Sequence, residues 1–266
     1  MEIKVLEKND TEMRLLIQGV NVAFMNAIRR IMLSEVPCMA IDEVVIIENS
    51  SILHDEILAH RIGLIPLKTD LDSYNLPDEC PCKSEFGCNL CRVALTLEVE
   101  AAENTMTVYS EALRSENPNI TPVSSKVPIV KLAPNQKIRL EAYARLGKGK
   151  NHAKWQPVSA CAYKYLPHIK IKSKCDVCGK CIEVCPKGVL VNTEKKIEIQ
   201  RILDCTLCQD CVDACPQSPP VIEISGEENA FILNIESTGA LPVERILLEA
   251  LNILDKKYED FLNQLR

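Results

Sequence analysis

The sequence predicts an α+β protein in which a small cysteine-rich module interrupts a larger body of sheets and helices. Three patterns carry this prediction. Apolar and polar residues alternate with period two between Val93 and Tyr165, amphipathic helical stripes lie near both ends, and 12 of the 14 cysteines gather in two short groups. At 266 residues there is room for roughly two domains, or three if one is small.

Two short strands open the chain, one carrying Ile3 and Val5, the next Met13, Leu15 and Ile17, with Asn9-Asp10 as the turn between them. A helix follows, with Val20, Phe24, Ala27, Ile28 and Ile31 on one side, and Pro37 is expected to end it. A shorter helix is expected from His54 to Ile62, with Asp55 and Glu56 in its first turn and Gly63 just past its end. Val93, Leu95, Leu97 and Val99 alternate with polar or small residues, as do Ile138, Leu140, Ala142 and Ala144, which predicts a sheet with one wet face. Ile169–Lys172, Val221–Ile224 and Phe231–Ile235 read as three further strands. Pro242 suits the first position of a last helix, whose Leu247, Leu251, Leu254, Tyr258, Phe261 and Leu265 follow the spacing of a packed helix seam. Ile246, Ala250 and Ile253 widen that apolar face.

Composition bounds the function. Only 4% of the residues are aromatic in a chain that is 47% apolar, so aliphatic side chains must fill the core. The net charge of −6 speaks against a stand-alone nucleic-acid binder. No uncharged apolar run approaches the ~18 residues of a membrane span. The first residues lack a signal peptide's apolar stretch, so a cytoplasmic, reducing location is expected.

In such a compartment, clustered cysteines read as metal ligands. Cys175, Cys178, Cys181, Cys185 and Pro186 recur 30 residues later as Cys205, Cys208, Cys211, Cys215 and Pro216, so a small unit is duplicated. The run C-x2-C-x2-C-x3-C-P suits an iron–sulfur cluster, in which three cysteines wrap one side and the fourth caps the other cluster. That rule assigns Cys175, Cys178, Cys181 and Cys215 to one cluster, and Cys205, Cys208, Cys211 and Cys185 to the second. Two zinc sites built from the same residues are the alternative, although zinc modules usually pair two separate C-x-x-C units. Cys80, Cys82, Cys88 and Cys91 could close a tetrahedral zinc site, with Pro81 and Gly87 as turn formers. An empty thiol loop or a disulfide formed in air are the other readings of that group.

Asn26, Arg29 and Arg30 share one helix face, either a solvated one or one whose arginines meet a partner's carboxylates. No catalytic constellation is visible. His54, His60, His152 and His168 pair with no nucleophile or metal-type carboxylate cluster. Gly147 and Gly149 lie in a basic turn too short for a phosphate loop.

Three blocks resemble the alpha-like assembly subunits of RNA polymerases. Phe24–Arg30 with Ser34–Pro37 looks like the family's first-helix motif. Asp55–Leu67 resembles its second block and Gly147–Val158 its third. They fall in the order of the archaeal D subunits, whose relatives are the bacterial alpha subunit and the eukaryotic third-largest subunit, and the cysteine insertion resembles that of many archaeal members.

The resemblance implies an alpha-like dimerisation domain made from both chain ends, residues 1–45 and 224–266. It is split by a mostly β insertion domain, 46–168, and a ferredoxin-like iron–sulfur domain, 169–223. It implies a non-catalytic scaffold that pairs with the small subunit L and, with subunits N and P, forms the platform for the two large subunits. The chain would then be enzymatic only as part of a nucleotidyltransferase complex, with no membrane and no sequence-specific DNA contact. Phe24, Asn26, Ile28, Arg29 and Arg30, with Leu247, Leu251, Leu254, Tyr258 and Phe261, would form the interface. Two [4Fe-4S] clusters are implied, one becoming [3Fe-4S] if a corner iron is lost. The Cys80–Cys91 loop resembles the eukaryotic relative's zinc loop, with a longer middle gap. The competing function is a ferredoxin-type electron-transfer subunit of an oxidoreductase, and a free-standing sensor is a third. A ferredoxin needs neither of the helices at the two chain ends, and a sensor would need a DNA-reading helix that the sequence does not show.

Overall fold

The computed structural model describes residues 1–84, 86–193 and 196–265. In chain order the strands and helices are β1 (Glu2–Lys8), β2 (Glu12–Gln18), α1 (Val22–Ser34), β3 (Pro37–Asn49), α2 (Asp55–Gly63), β4 (Val93–Glu100), β5 (Met106–Tyr109), β6 (Arg114–Ser115), β7 (Pro128–Leu132), β8 (Lys137–Lys148), β9 (Val158–Ile171), α3 (Lys180–Glu183), β10 (Leu190–Thr193), β11 (Lys196–Ile199), α4 (Asp210–Asp213), β12 (Ile222–Ser237) and α5 (Val243–Gln264). Among the described residues no helix is long and apolar enough to cross a membrane.

Contacts divide the chain into two compact units. One gathers Met1–Lys8, Met13–Asn26 and Ala162–Asn234, the other Asn9–Glu12, Ala27–Cys161 and Ile235–Arg266. The expected domain boundaries at 45/46, 168/169 and 223/224 each fall inside a continuous strand, β3, β9 and β12 respectively.

In the larger unit, β3, β8, β4 and β6 form a sheet in that order, and β3–β8 and β8–β4 pair antiparallel. The inward residues of β4 and β8, among them Leu95, Leu97, Leu140 and Ala142, are buried, and α2 adds Leu58 and Ile62 to the same core. Period-two alternation does this directly, because successive strand side chains point to opposite faces. Two glycines of the third block allow close packing. A Cβ on Gly147 would overlap the Trp155 ring, and one on Gly149 would overlap the Leu33 carbonyl. Lys154 and Arg145 both pair with Asp42, the lysine at 2.6 Å.

Helix α5 buries Val243, Ile246 and Ala250. Its first turn is held by Val243 N–H donating to the Asp10 carbonyl and by Arg245 paired to Asp72 at 2.7 Å. Pro242 caps the helix from one residue outside it, because its extended ψ of 140° is incompatible with the first turn. The seam is also displaced from the core. The residues expected only to widen it, Ile246 and Ala250, are the buried ones.

In the smaller unit β1 and β2 form a hairpin, and the sheet order is β1-β2-β12-β9. Asn9 closes the hairpin turn, its side-chain oxygen accepting from the N–H groups of Thr11 and Glu12. The two strands expected at Val221–Ile224 and Phe231–Ile235 are one continuous strand, since the intervening Gly226 passes close over Tyr165 and the chain does not turn. Phe231 is fully buried against Tyr163 and Tyr165. On α1 the most buried residues are Met25, Ile28, Ile31 and Met32, while Phe24 is half-buried. The helix ends at Ser34, and Pro37 opens β3 rather than terminating α1.

Candidate metal centres

The duplicated cysteine runs fold as two loops with the same backbone. Val177 and Gly179 in the first loop, and Leu207 and Gln209 in the second, all adopt positive φ, at 57°, 81°, 60° and 73°. A β-branched or large residue in that conformation costs on the order of 1–3 kcal/mol and persists only where the surroundings impose it. The effect is to curl each loop around a hollow before a single turn of helix, α3 or α4.

One hollow is lined by Cys175, Cys178, Cys181 and Cys215, among Ile171, Ile197, Val221 and Ile222. The other is lined by Cys205, Cys208, Cys211 and Cys185, among Ile169, Val189, Leu190 and Ile224. Each therefore combines three cysteines of one run with the fourth of the other. Burial pushes the Cys181 thiol up and the Cys211 thiol to about 11, and the neighbouring cysteines add to both shifts. The Val189 N–H donates to the Cys185 sulfur at 3.4 Å. Four sulfurs in an aliphatic setting, one with a backbone donor, form a donor set suited to a soft, thiolate-capped iron cluster.

The loops are anchored by side chains that sequence spacing does not reveal. Lys164 on β9 donates to the Leu203 and Cys205 carbonyls at 2.7 and 2.8 Å. Arg14 on β2 donates to the same Leu203 carbonyl at 2.9 Å and pairs with Asp204 at 3.3 Å. The one sequence hint is that each charge sits inside a strand. Nothing local says what it meets.

The second cysteine group is tighter. A short 3-10 turn, Pro77–Glu79, delivers Cys80, and Gly87 at a φ of 75° turns the chain back. The sulfurs of Cys80, Cys82, Cys88 and Cys91 all lie within 4.8 Å of one another, the one such grouping among the described residues. Cys80–Cys88 is 3.7 Å, while Cys82–Cys91 and Cys88–Cys91 are 3.9 Å. Four sulfurs at about 2.3 Å from one ion form a tetrahedron with edges of roughly 3.8 Å. The four residues thus fit a single tetrahedral ion. The unusual one-residue first spacing is no obstacle, since the Cys82 sulfur lies within 4.8 Å of the other three.

The Cys88 N–H donates to the Cys91 sulfur at 3.2 Å and the Leu90 N–H to the Cys88 sulfur at 3.4 Å. The Ser84 backbone N–H and the neighbouring thiols hold the Cys82 thiol down at about 7. At Cys80 a backbone bond at Cys82 works downward, but burial and the three other thiols outweigh it and push the group up to about 12. Arg92 ties the loop to the sheet. It donates to the Phe86 carbonyl at 2.7 Å, lies 3.4 Å over the Tyr143 ring and pairs with Glu43 at 3.5 Å.

Of the helix residues singled out from sequence, Leu251, Tyr258 and Phe261 are exposed, at 41%, 59% and 59%, and Leu247 and Leu254 are half-buried. On α1, Arg30 is exposed, Phe24, Asn26 and Arg29 are half-buried, and Ile28 is buried within the chain. The basic turn at Gly147–Lys150 is occupied in packing, with Lys150 N–H donating to the Ser34 carbonyl.

Comparison with known proteins gives this geometry a context. Residues 14–258 match the family model described as the RNA polymerase Rpb3/Rpb11 dimerisation domain. The chain is 44% identical over 265 residues to "DNA-directed RNA polymerase subunit Rpo3" of Methanothermobacter thermautotrophicus, covering 98% of each chain. It is 42% identical over 259 residues to the protein of the same name from Archaeoglobus fulgidus, covering 97% of this chain and 96% of that one. The chain belongs to the RNA polymerase Rpb3/Rpb11 dimerisation family, and the archaeal relatives carry the name Rpo3 rather than D.

Proposed function

We propose that this chain is the alpha-like, non-catalytic assembly subunit of an archaeal DNA-directed RNA polymerase. The observation that carries the reading is the family match. It runs from Met13's neighbour Arg14 to Tyr258 and takes in both end segments as well as the cysteine runs between them. An electron-transfer subunit would need only the latter.

The partner would be the small subunit L, meeting the exposed stripe of α5. Burying Leu251, Tyr258 and Phe261 contributes about 1.5–3 kcal/mol each, against several kcal/mol of lost rigid-body freedom. Left wet, such a stripe favours aggregation. Subunits N and P and the two large subunits would then assemble on the heterodimer.

The cysteines would supply metal ligands rather than catalytic groups. Cys175, Cys178, Cys181 and Cys215 would hold one [4Fe-4S] cluster, and Cys205, Cys208, Cys211 and Cys185 the second, within the segment 169–223. When bound, such a group supplies four iron–thiolate bonds and, where a donor is present, one-electron capacity. Cys80, Cys82, Cys88 and Cys91 would hold zinc, a site with no open position and hence structural.

Co-expression with the small partner tests the assembly role. Phe261→Asp should abolish co-elution on size exclusion, because it would bury an unpaired carboxylate. Lys256→Asp, on the exposed side, should not. Lys257 is no control, since it pairs with Glu35 at 2.5 Å. Co-elution of the Phe261→Asp chain would overturn this interface. Elemental analysis of anaerobic protein should find about eight irons and one zinc per chain.

A further inference from the structure

We propose that the two cysteine hollows are electrostatically unequal, and that Lys164 makes the site of Cys185, Cys205, Cys208 and Cys211 the first to accept an electron. The inference rests on the iron–sulfur reading above. Reduction potential follows net charge, hydrogen bonds to the sulfurs and exposure, so two loops of the same backbone differ only through what surrounds them.

Two differences act in the same direction. The first is cationic. Lys164 Nζ lies 2.8 Å from the carbonyl of the ligand Cys205 and 2.7 Å from that of Leu203, and Lys187 lines the same hollow. In the other loop the side chain that reaches the backbone just before the first cysteine is neutral, the Gln217 amide donating to the Lys174 carbonyl at 3.3 Å. The second is acidic. Asp176 lines the first hollow and accepts the Cys178 N–H at 3.4 Å, drawing that donor from the sulfurs. Its counterpart in the second loop is the uncharged Thr206.

The second loop also carries Asp204, Asp210 and Asp213. Asp204 is paired with Arg14 and the first loop's Lys172 with Glu223, while Asp210 and Asp213, like Lys174, Lys180, Asp176 and Lys187, are exposed, where water and salt screen them, so the half-buried Lys164 carries most of the difference. Lys164 is half-buried and fixed by two bonds, so its charge acts at short range. Each site takes one electron from an added low-potential donor, dithionite, and no bond forms or breaks. Lys164 compensates the added negative charge.

The test is an anaerobic dithionite titration of the full chain, followed by electron paramagnetic resonance. Wild type should reduce in two steps. Lys164→Gln should weaken the first step by about tenfold, a shift of about 59 mV for one electron, and leave the second in place. Lys164→Arg should restore it, and iron and sulfide content should match wild type in both. Cys178→Ala, which disables the first hollow, should retain the higher step. A single unresolved step, an unmoved first step in Lys164→Gln, or retention of the lower step in Cys178→Ala would overturn the inference alone. Absence of iron from wild type would overturn the iron–sulfur reading and this inference with it.

Discussion

The β3–β8–β4–β6 body and the cysteine module hold themselves together by different means. The body closes on aliphatic side chains such as Leu95, Leu97, Leu132 and Ile138, all at or below 1% exposure. The core of the module is made of Val189, Leu190, Ile197 and Ile222 interleaved with Cys181, Cys205 and Cys211. A segment of about 50 residues buries too little apolar surface to fold alone. The difference is that the body closes on apolar side chains alone, while the module's core is part cysteine, so on the proposed reading its fold would be completed by what the sulfurs bind.

The comparison breaks most sharply with the double substitution Cys181→Ser, Cys211→Ser. It should remove iron and leave residues 170–222 open to protease, while the strand signal of the body persists in circular dichroism. Unchanged protection of that segment without iron would make the two regions alike.

Leu95→Ala probes the opposite side. Removing a fully buried leucine should cost about 2–5 kcal/mol and lower the melting temperature of the body, with iron content unchanged. Gly147→Ala should also destabilise the body, since the added methyl overlaps the Trp155 ring, read as a shift in tryptophan fluorescence and denaturation midpoint.

The Cys80–Cys91 loop lies between these extremes, a tight four-thiol group beside an apolar core. A metal held there would have to displace thiol protons, because only thiolates bind. In the free loop Cys82 ionises near 7 while Cys80 is held up near 12. Zinc binding would therefore release protons, and apparent affinity should fall as pH falls through this range. Competition with a chromophoric chelator should show weaker retention at pH 6 than at pH 8. Equal retention would mean that protons are not released.

The smallest effect is expected where burial outweighs every other influence on a cysteine. Burial pushes Cys38 and Cys161 up to about 11. Both should resist iodoacetamide in the native chain and react only on unfolding, as read by mass spectrometry. Exposed Lys196→Ala, which removes a surface pair with Glu198, should change stability by under about 0.5 kcal/mol.

Much of this was legible in the sequence because it is encoded over short distances. Alternation at Val93–Val99 and Ile138–Ala144 determined which strand faces are buried, since a pleated strand has no other way to place successive side chains. The 30-residue repeat made the module a duplicate, and three family blocks placed it within a polymerase subunit's chain. Element ends followed less closely. Pro242 and Pro37 lie one to three residues from their expected roles, and a strand break expected near Gly226 does not occur.

Tertiary structure alone decided what distant residues do together. Periodicity on α1 placed Phe24, Ala27, Ile28 and Ile31 on one stripe; packing buries Ile28 and Ile31 but also Met25 and Met32, and leaves Phe24 half-buried, because a wide apolar face leaves several rotations open until a neighbour selects one. Spacing left the Cys80–Cys91 group open among a metal site, a thiol loop and a disulfide. Only sulfur-to-sulfur distances of 3.7–3.9 Å give it the dimensions of a single tetrahedral ion. Arg14 and Lys164 meet the carbonyl of Leu203 from 189 and 39 residues away. No local pattern encodes such a meeting. It arises when hydrogen-bonded strands bring remote segments together and a buried carbonyl must find a donor.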